Sequence, residues 1–187
     1  MKMSSKEHNN PWKTLSSKTV YENPWIAVVE NQVITPAGKP GIYGVVRPKI
    51  AAGVFAIDNK GFVTIVGQYR YPTDEYSWEI IKGGVEKNEP PIKGAERELA
   101  EEAGIKAGSI IQLGNEIHLS NCFTDEVAFC FLATNLSEIE SSPEETEVLE
   151  IKKIHIDELV DMYKNGLIKC ALSIITITRA LEYLKVK

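Results

Sequence analysis

From Gly83 to Ile105 the chain reads GGVEKNEPPIKGAERELAEEAGI, a run whose fixed positions form the pattern G-x5-E-x7-R-E-L-x-E-E-x-G-I. Pro90 and Pro91 suit a helix start and Gly104 suits its left-handed stop, so the run predicts loop, helix, loop. At about 100° per residue Glu101 and Glu102 lie within about 60° of Glu98, which puts three carboxylates on one stripe. Ile92, Ala95, Leu99 and Ala103 fall on the other side and anchor that helix to a core.

An acidic stripe at this place is unfavourable unless something positive meets it. Carboxylates at i and i+4 repel by roughly 0.2–0.5 kcal/mol, and negative charge in the last helical turn opposes the helix dipole. Arg97 reaches Glu101 at i+4, but one arginine does not neutralise three acids. A hard divalent cation with oxygen ligands would, and a solvated acidic helix face is the alternative. The length of the whole pattern favours the cation.

Every fixed position of that pattern matches the Nudix box, and on those residues the chain resembles the Nudix hydrolases. The segment QYRYPTDEYSWEIIKGGVE, which leads into the box, extends the likeness to the ADP-ribose pyrophosphatase and nucleoside diphosphate sugar hydrolase branch. The resemblance implies an α+β fold, an αβα sandwich with a mixed central sheet, plus an N-terminal β-sheet region. It divides the chain into residues 1–47, used for dimerisation and base binding, and a hydrolase domain over residues 48–187. Strands before the box, strands after it and helices at the end agree with that class.

Turn signals place the elements. Trp25 to Ile34 and Ile42 to Arg47 flank TPAGKPG, and Ala51 to Ile57 and Phe62 to Tyr69 flank Asp58-Asn59-Lys60-Gly61, giving two hairpins. Ile110 to Leu119, Val127 to Thr134 and Glu150 to Ile156 read as strands, and the polar stretch from Ser137 to Glu147 as a loop. Asp157 to Asn165 reads as a helix capped by Asp157, and Ser173 to Leu184 as a second.

The resemblance also implies roles. Glu98 and Glu102 are metal ligands, Glu101 binds a further metal or orders water, and Arg97 orients Glu101. The backbone carbonyl of Lys82 is a further ligand, although relatives usually carry a small residue there. Magnesium is the expected ion, with manganese as a substitute. In the acidic loop SSPEETEVLE, Glu145 is the leading base and Glu147 an additional metal ligand, with Glu144 open as the base. Arg47 and Arg70 are expected at the substrate, with Arg70 on its phosphates and Glu79 shaping the site. A salt bridge from Arg70 to Glu79 or another acid is an equal alternative. Trp25 and Tyr43 match rings that clamp a purine in dimeric relatives, and a place in the core of the first hairpin is the competing reading.

These expectations converge on a homodimer that hydrolyses the pyrophosphate of nucleoside diphosphate sugars, ADP-ribose and GDP- or ADP-linked sugars among them. Sanitation of oxidised nucleoside triphosphates is the alternative enzyme reading, and a non-catalytic nucleotide-sugar sensor the non-enzymatic one. The loop from Ser120 to Glu126 carries Asn121 and Cys122 where that branch has proline and glycine, which argues against strict ADP-ribose specificity.

Composition supplies the exclusions. A net charge of -5 over 187 residues speaks against nucleic acid as partner. No apolar run reaches the roughly 20 residues of a membrane span, so a cytoplasmic protein without membrane contact is expected. Three cysteines without C-x-x-C spacing point to neither a disulfide frame nor a zinc site.

Overall fold

In the computed structural model, which describes residues 9–140 and 148–186, the chain divides into two units. The first comprises residues 1–48 and 120–126. Its strands β1 (Lys13–Glu22), β2 (Ile26–Ile34) and β3 (Pro40–Pro48) form an antiparallel sheet in that order. The Thr35 to Lys39 turn closes β2 onto β3 in continuous register from Ile26↔Pro48 to Ile34↔Pro40. Val29 and Val33 are buried in this unit, whereas β1 is exposed along its whole length. β1 is absent from the sequence reading, because KTLSSKTVYE shows no alternation of apolar and polar residues to announce a half-buried strand.

Residues 120–126 join this unit through the Val46 amide, which donates to the Phe123 carbonyl at 2.9 Å. The loop singled out for its missing proline and glycine is therefore tied to the sheet that carries Tyr43 and Arg47.

The second unit comprises residues 49–119 and 127–187. It contains β4 (Ala51–Ile57), β5 (Phe62–Arg70), β6 (Glu75–Gly84), α1 (Pro91–Ala103), β7 (Ile105–Gln112), β8 (Ile117–His118), β9 (Val127–Glu138), β10 (Glu150–His155), α2 (Ile156–Lys164) and α3 (Ala171–Leu184). Six strands follow the order β10-β5-β6-β4-β9-β7, and β8 adds to β9. Among the described residues only β4 and β9 of this sheet run parallel, so it is mixed.

Period-two alternation sorts the core into two layers. Ala52, Val54 and Ala56 of β4 pack with Val66, Ile81 and Phe131 against Ala95 and Leu99 of α1. Phe55, Val63, Ile65 and Ile80 face the other way, with Leu159 of α2 and Leu172 and Ile177 of α3. Helix, sheet and helices thus stack as an αβα sandwich. α3 comes close to β4 at Gly53, where a Cβ would meet the Thr176 hydroxyl at 2.9 Å and Ile80 at 3.0 Å.

Several boundaries depart from the sequence reading: β9 runs on to Glu138, past the expected end at Thr134 and into the stretch read as a loop from Ser137, and α3 starts at Ala171 and not at Ser173. α2 begins at Ile156 with His155 as its cap, not at Asp157: the buried Ile156 draws the turn inward, and the Asp157 amide donates to His155 Nδ1 at 3.4 Å. The expected strand from Ile110 to Leu119 is instead split into β7, which starts at Ile105, and the two-residue β8. Gly114 stands between them with φ 72°.

Candidate active site

The acidic stripe sits where α1 crosses the end of β6. Pro90 is the N-cap and Pro91 the first helical residue, so the helix starts without a side-chain cap. Gly104 ends it at φ 60°, its amide bonding back to Ala100 and Leu99. Leu99 and Ala95 hold one face in the core, while Glu98 and Glu102 are themselves buried, at 9% and 2% exposure. Burying carboxylates costs free energy unless charge or hydrogen bonds meet them. The Lys82 amide donates to Glu102 Oε2 at 3.1 Å, and Arg97 Nη1 donates to Glu98 Oε1 at 2.8 Å.

Arg97 is the hub of the cluster. Nη1 also donates to Glu101 Oε2 at 2.7 Å, Nη2 to the Gly84 carbonyl at 2.6 Å, and the guanidinium reaches Glu89 at 3.4 Å. Burial alone lowers the pKa of this guanidinium, but Glu89, Glu101 and Glu98 outweigh it and raise the pKa above the usual value. The expected i to i+4 pair with Glu101 is present, and Glu89 joins it. Glu89 belongs to the box, yet no role was assigned to it. Its Oε2 also accepts from the Glu86 amide at 2.9 Å, which closes the loop ahead of α1.

Glycine at 83 is required by shape. A Cβ there would fall on the carboxyl group of Glu98, so the end of β6 supplies a cradle that only a residue without a side chain leaves open. The donor set here is carboxylate and carbonyl oxygen, which suits a hard divalent ion. Among the described residues no three His, Cys, Asp or Glu side chains converge as a metal-binding group, and Arg97 pairs with both Glu98 and Glu101. Glu98, Glu101 and Glu102 therefore fit such an ion by chemistry and place, with Arg97 as the competing cation.

A second charged group lies on β5 and β6. Arg70 grips Glu79 with two bonds, Nε to Oε1 at 3.0 Å and Nη2 to Oε2 at 2.6 Å, so the salt-bridge reading of Arg70 holds in the structure. Lys82 Nζ lies 3.0 Å from the same Oε2. Burial by itself raises the Glu79 pKa, but Arg70 and Lys82 together hold this carboxyl at about 2. The side chain of Lys82 thus has a definite partner, which sequence spacing did not indicate.

The aromatic and arginine candidates Trp25, Tyr43 and Arg47 all belong to the first unit. Trp25 is 64% exposed, so it is not core of its hairpin. Tyr43 is half-buried, packs edge-on against Trp12 at 5.2 Å and donates its hydroxyl to the Cys122 carbonyl at 2.6 Å. Arg47 pairs with Asp125 at 3.2 Å on the surface. Glu144, Glu145 and Glu147 lie outside the described residues. No helix among the described residues is long and apolar enough to cross a membrane.

Residues 47–170 match the NUDIX domain model, and residues 12–46 match that of the nucleoside diphosphate sugar hydrolase N-terminal domain. The chain is 28% identical over 177 residues to the ADP-ribose pyrophosphatase of Bacillus subtilis, covering 94% of this chain and 93% of the relative. Identity and coverage are the same for the methanol dehydrogenase activator of Bacillus methanolicus. A solved structure described as an ADP compounds hydrolase shares the fold, with a TM-score of 0.81 over 96% of this chain and 97% of that one at 19% identity.

Proposed function

The chain belongs to the Nudix family of pyrophosphohydrolases, and from that premise we propose that it hydrolyses the diphosphate linkage of nucleoside diphosphate sugars, with the help of a divalent cation. Water adds to one phosphorus, the bridging P–O bond breaks, and a nucleoside monophosphate and a sugar phosphate leave. The matched N-terminal domain supports a sugar nucleotide over a nucleoside triphosphate. ADP-ribose is the first substrate to test, and GDP- or ADP-linked hexoses the next.

The observation that supports the reading most is the burial of Glu98 and Glu102 side by side, one carboxyl over Gly83 and the other on the Lys82 amide. Magnesium or manganese held by Glu98, Glu102 and Glu101, with the Lys82 carbonyl as a further ligand, would offset charge on the phosphoryl oxygens and make water a better nucleophile. Arg97 keeps Glu98 and Glu101 oriented. Arg70 uses Nε and one Nη2 bond on Glu79 and retains donors for a phosphoryl oxygen. Glu145 is the proposed base, and Glu147 an added ligand. Trp25 and Tyr43 are proposed to hold the nucleobase, with Arg47 nearby on the same sheet, in a homodimer built through residues 1–47. We take the setting to be cytoplasmic.

Chelation of divalent ions should abolish turnover, and Glu98→Gln or Glu102→Gln should lower kcat by two or more orders of magnitude with the far-UV spectrum unchanged, since a neutral amide does not replace an anionic ligand. Full activity in chelator, or in either variant, would remove the cation or that residue from the reading.

A further inference from the structure

Beside the acidic cluster, Arg70, Glu79 and Lys82 line a cavity of about 270 Å³. Glu79 is one buried anion against two cations, and its side chain is 3% exposed while those of Lys82 and Arg70 are 19% and 33% exposed. The trio therefore carries one net positive charge. The Lys169 and Glu75 pair on the same wall, 2.5 Å apart, adds none. Lys82 spends one of its three donors on Glu79, and Arg70 two of its five. Donors and charge both remain for an anion.

The rest of the lining narrows the class of ligand. Among the described residues no aromatic ring borders the cavity, so it offers no face on which a base would stack. Thr73 and Ser77 bring hydroxyls instead. The volume is below the roughly 300–1,000 Å³ of sites that enclose a whole drug-sized ligand, so the cavity suits part of a nucleotide sugar. We propose that it seats the sugar-phosphate half of the substrate, with Lys82 and Arg70 on the phosphoryl group and Thr73 and Ser77 toward the sugar hydroxyls. This rests on the nucleotide-sugar reading above, and it makes Lys82 a specificity-determining residue through its side chain. The Lys82 amide bond to Glu102 is a separate, backbone contact. A substitution at this position therefore removes the charge and leaves the amide of the acidic cluster in place.

The test is product inhibition of ADP-ribose hydrolysis by ribose 5-phosphate and by AMP, in the wild type, Lys82→Met, Lys82→Gln and Lys82→Arg. Loss of a charge-assisted contact should raise the inhibition constant of ribose 5-phosphate by roughly tenfold or more in the Met and Gln variants. The constant for AMP should move by no more than about twofold, and Lys82→Arg should restore most of the ribose 5-phosphate affinity. Unchanged inhibition by ribose 5-phosphate, or equal weakening of both products, overturns the assignment. Calorimetric titration with ribose 5-phosphate separates this from the reading it rests on. A wild type that cleaves no nucleotide sugar refutes the function. If that same protein nevertheless binds ribose 5-phosphate about tenfold tighter than Lys82→Met, the cavity stands; no such difference overturns it.

Discussion

Arg97 meets four acceptors with one guanidinium, and Glu79 meets two cations with one carboxylate. In both clusters removal of the central group leaves its like-charged partners facing one another without their counter-charge, and that is costlier than losing an exposed pair. Glu79 gives a testable pH dependence. Its folded pKa is depressed to about 2 from an ordinary 4.5, so its contribution is present above pH 4.5 and is lost as pH falls toward 2. The shift corresponds to about 3 kcal/mol, taken as an order of magnitude. In urea unfolding across that window the wild type should lose stability more steeply than Glu79→Gln. Parallel curves would show that Arg70 and Lys82 do not stabilise the ionised form.

At the scale of elements, α1 matters because its two faces have different tasks, and Gly83 couples one of them to β6. Gly83→Ala should push the Glu98 carboxyl aside, since a Cβ would take its place. The displaced group is the end of a flexible side chain, so the fold should survive with a loss of about 1 kcal/mol while kcat falls at least a hundredfold. Thermal unfolding beside steady-state kinetics checks both parts; an active Gly83→Ala would show that the Glu98 position is immaterial. The helix itself was legible in the sequence because the spacing of Glu98, Leu99, Glu101 and Glu102 and the proline and glycine boundaries are covalent facts that local geometry converts directly into faces. Partner choice was not. Arg97 on Glu89 depends on how the loop before α1 folds back on the helix, and Lys82 on Glu79 joins two residues of β6 three apart, which strand alternation alone puts on opposite faces. β1 was hidden for a different reason: all its residues are exposed, so no pattern of burial marks it.

For the whole molecule, the first unit exposes Leu15, Val20, Tyr21 and Ile42 on its three-stranded sheet and Trp25 in the turn between β1 and β2. Exposed apolar side chains in that number suit an interaction surface. The proposed homodimer would use it, and sedimentation at assay concentration should give twice the mass of 20.8 kDa. Trp25→Ala should raise KM more than it lowers kcat, because stacking on a remote base contributes mainly uniform binding of about 1–3 kcal/mol. A fully active monomer, or a Trp25→Ala variant with unchanged KM, would contradict this.

Substrate choice tests the account at its centre. Aromatic stacking reads base identity weakly, and the segment from Ser120 to Glu126, which the structure ties to the Tyr43 sheet, lacks the proline and glycine of the branch it resembles. The decisive measurement is kcat/KM for ADP-ribose, GDP-mannose and 8-oxo-dGTP side by side with magnesium. The account predicts that the two sugar nucleotides fall within about two orders of magnitude of each other, under roughly 3 kcal/mol in transition-state binding, with the triphosphate far poorer. A thousandfold preference for 8-oxo-dGTP would contradict it.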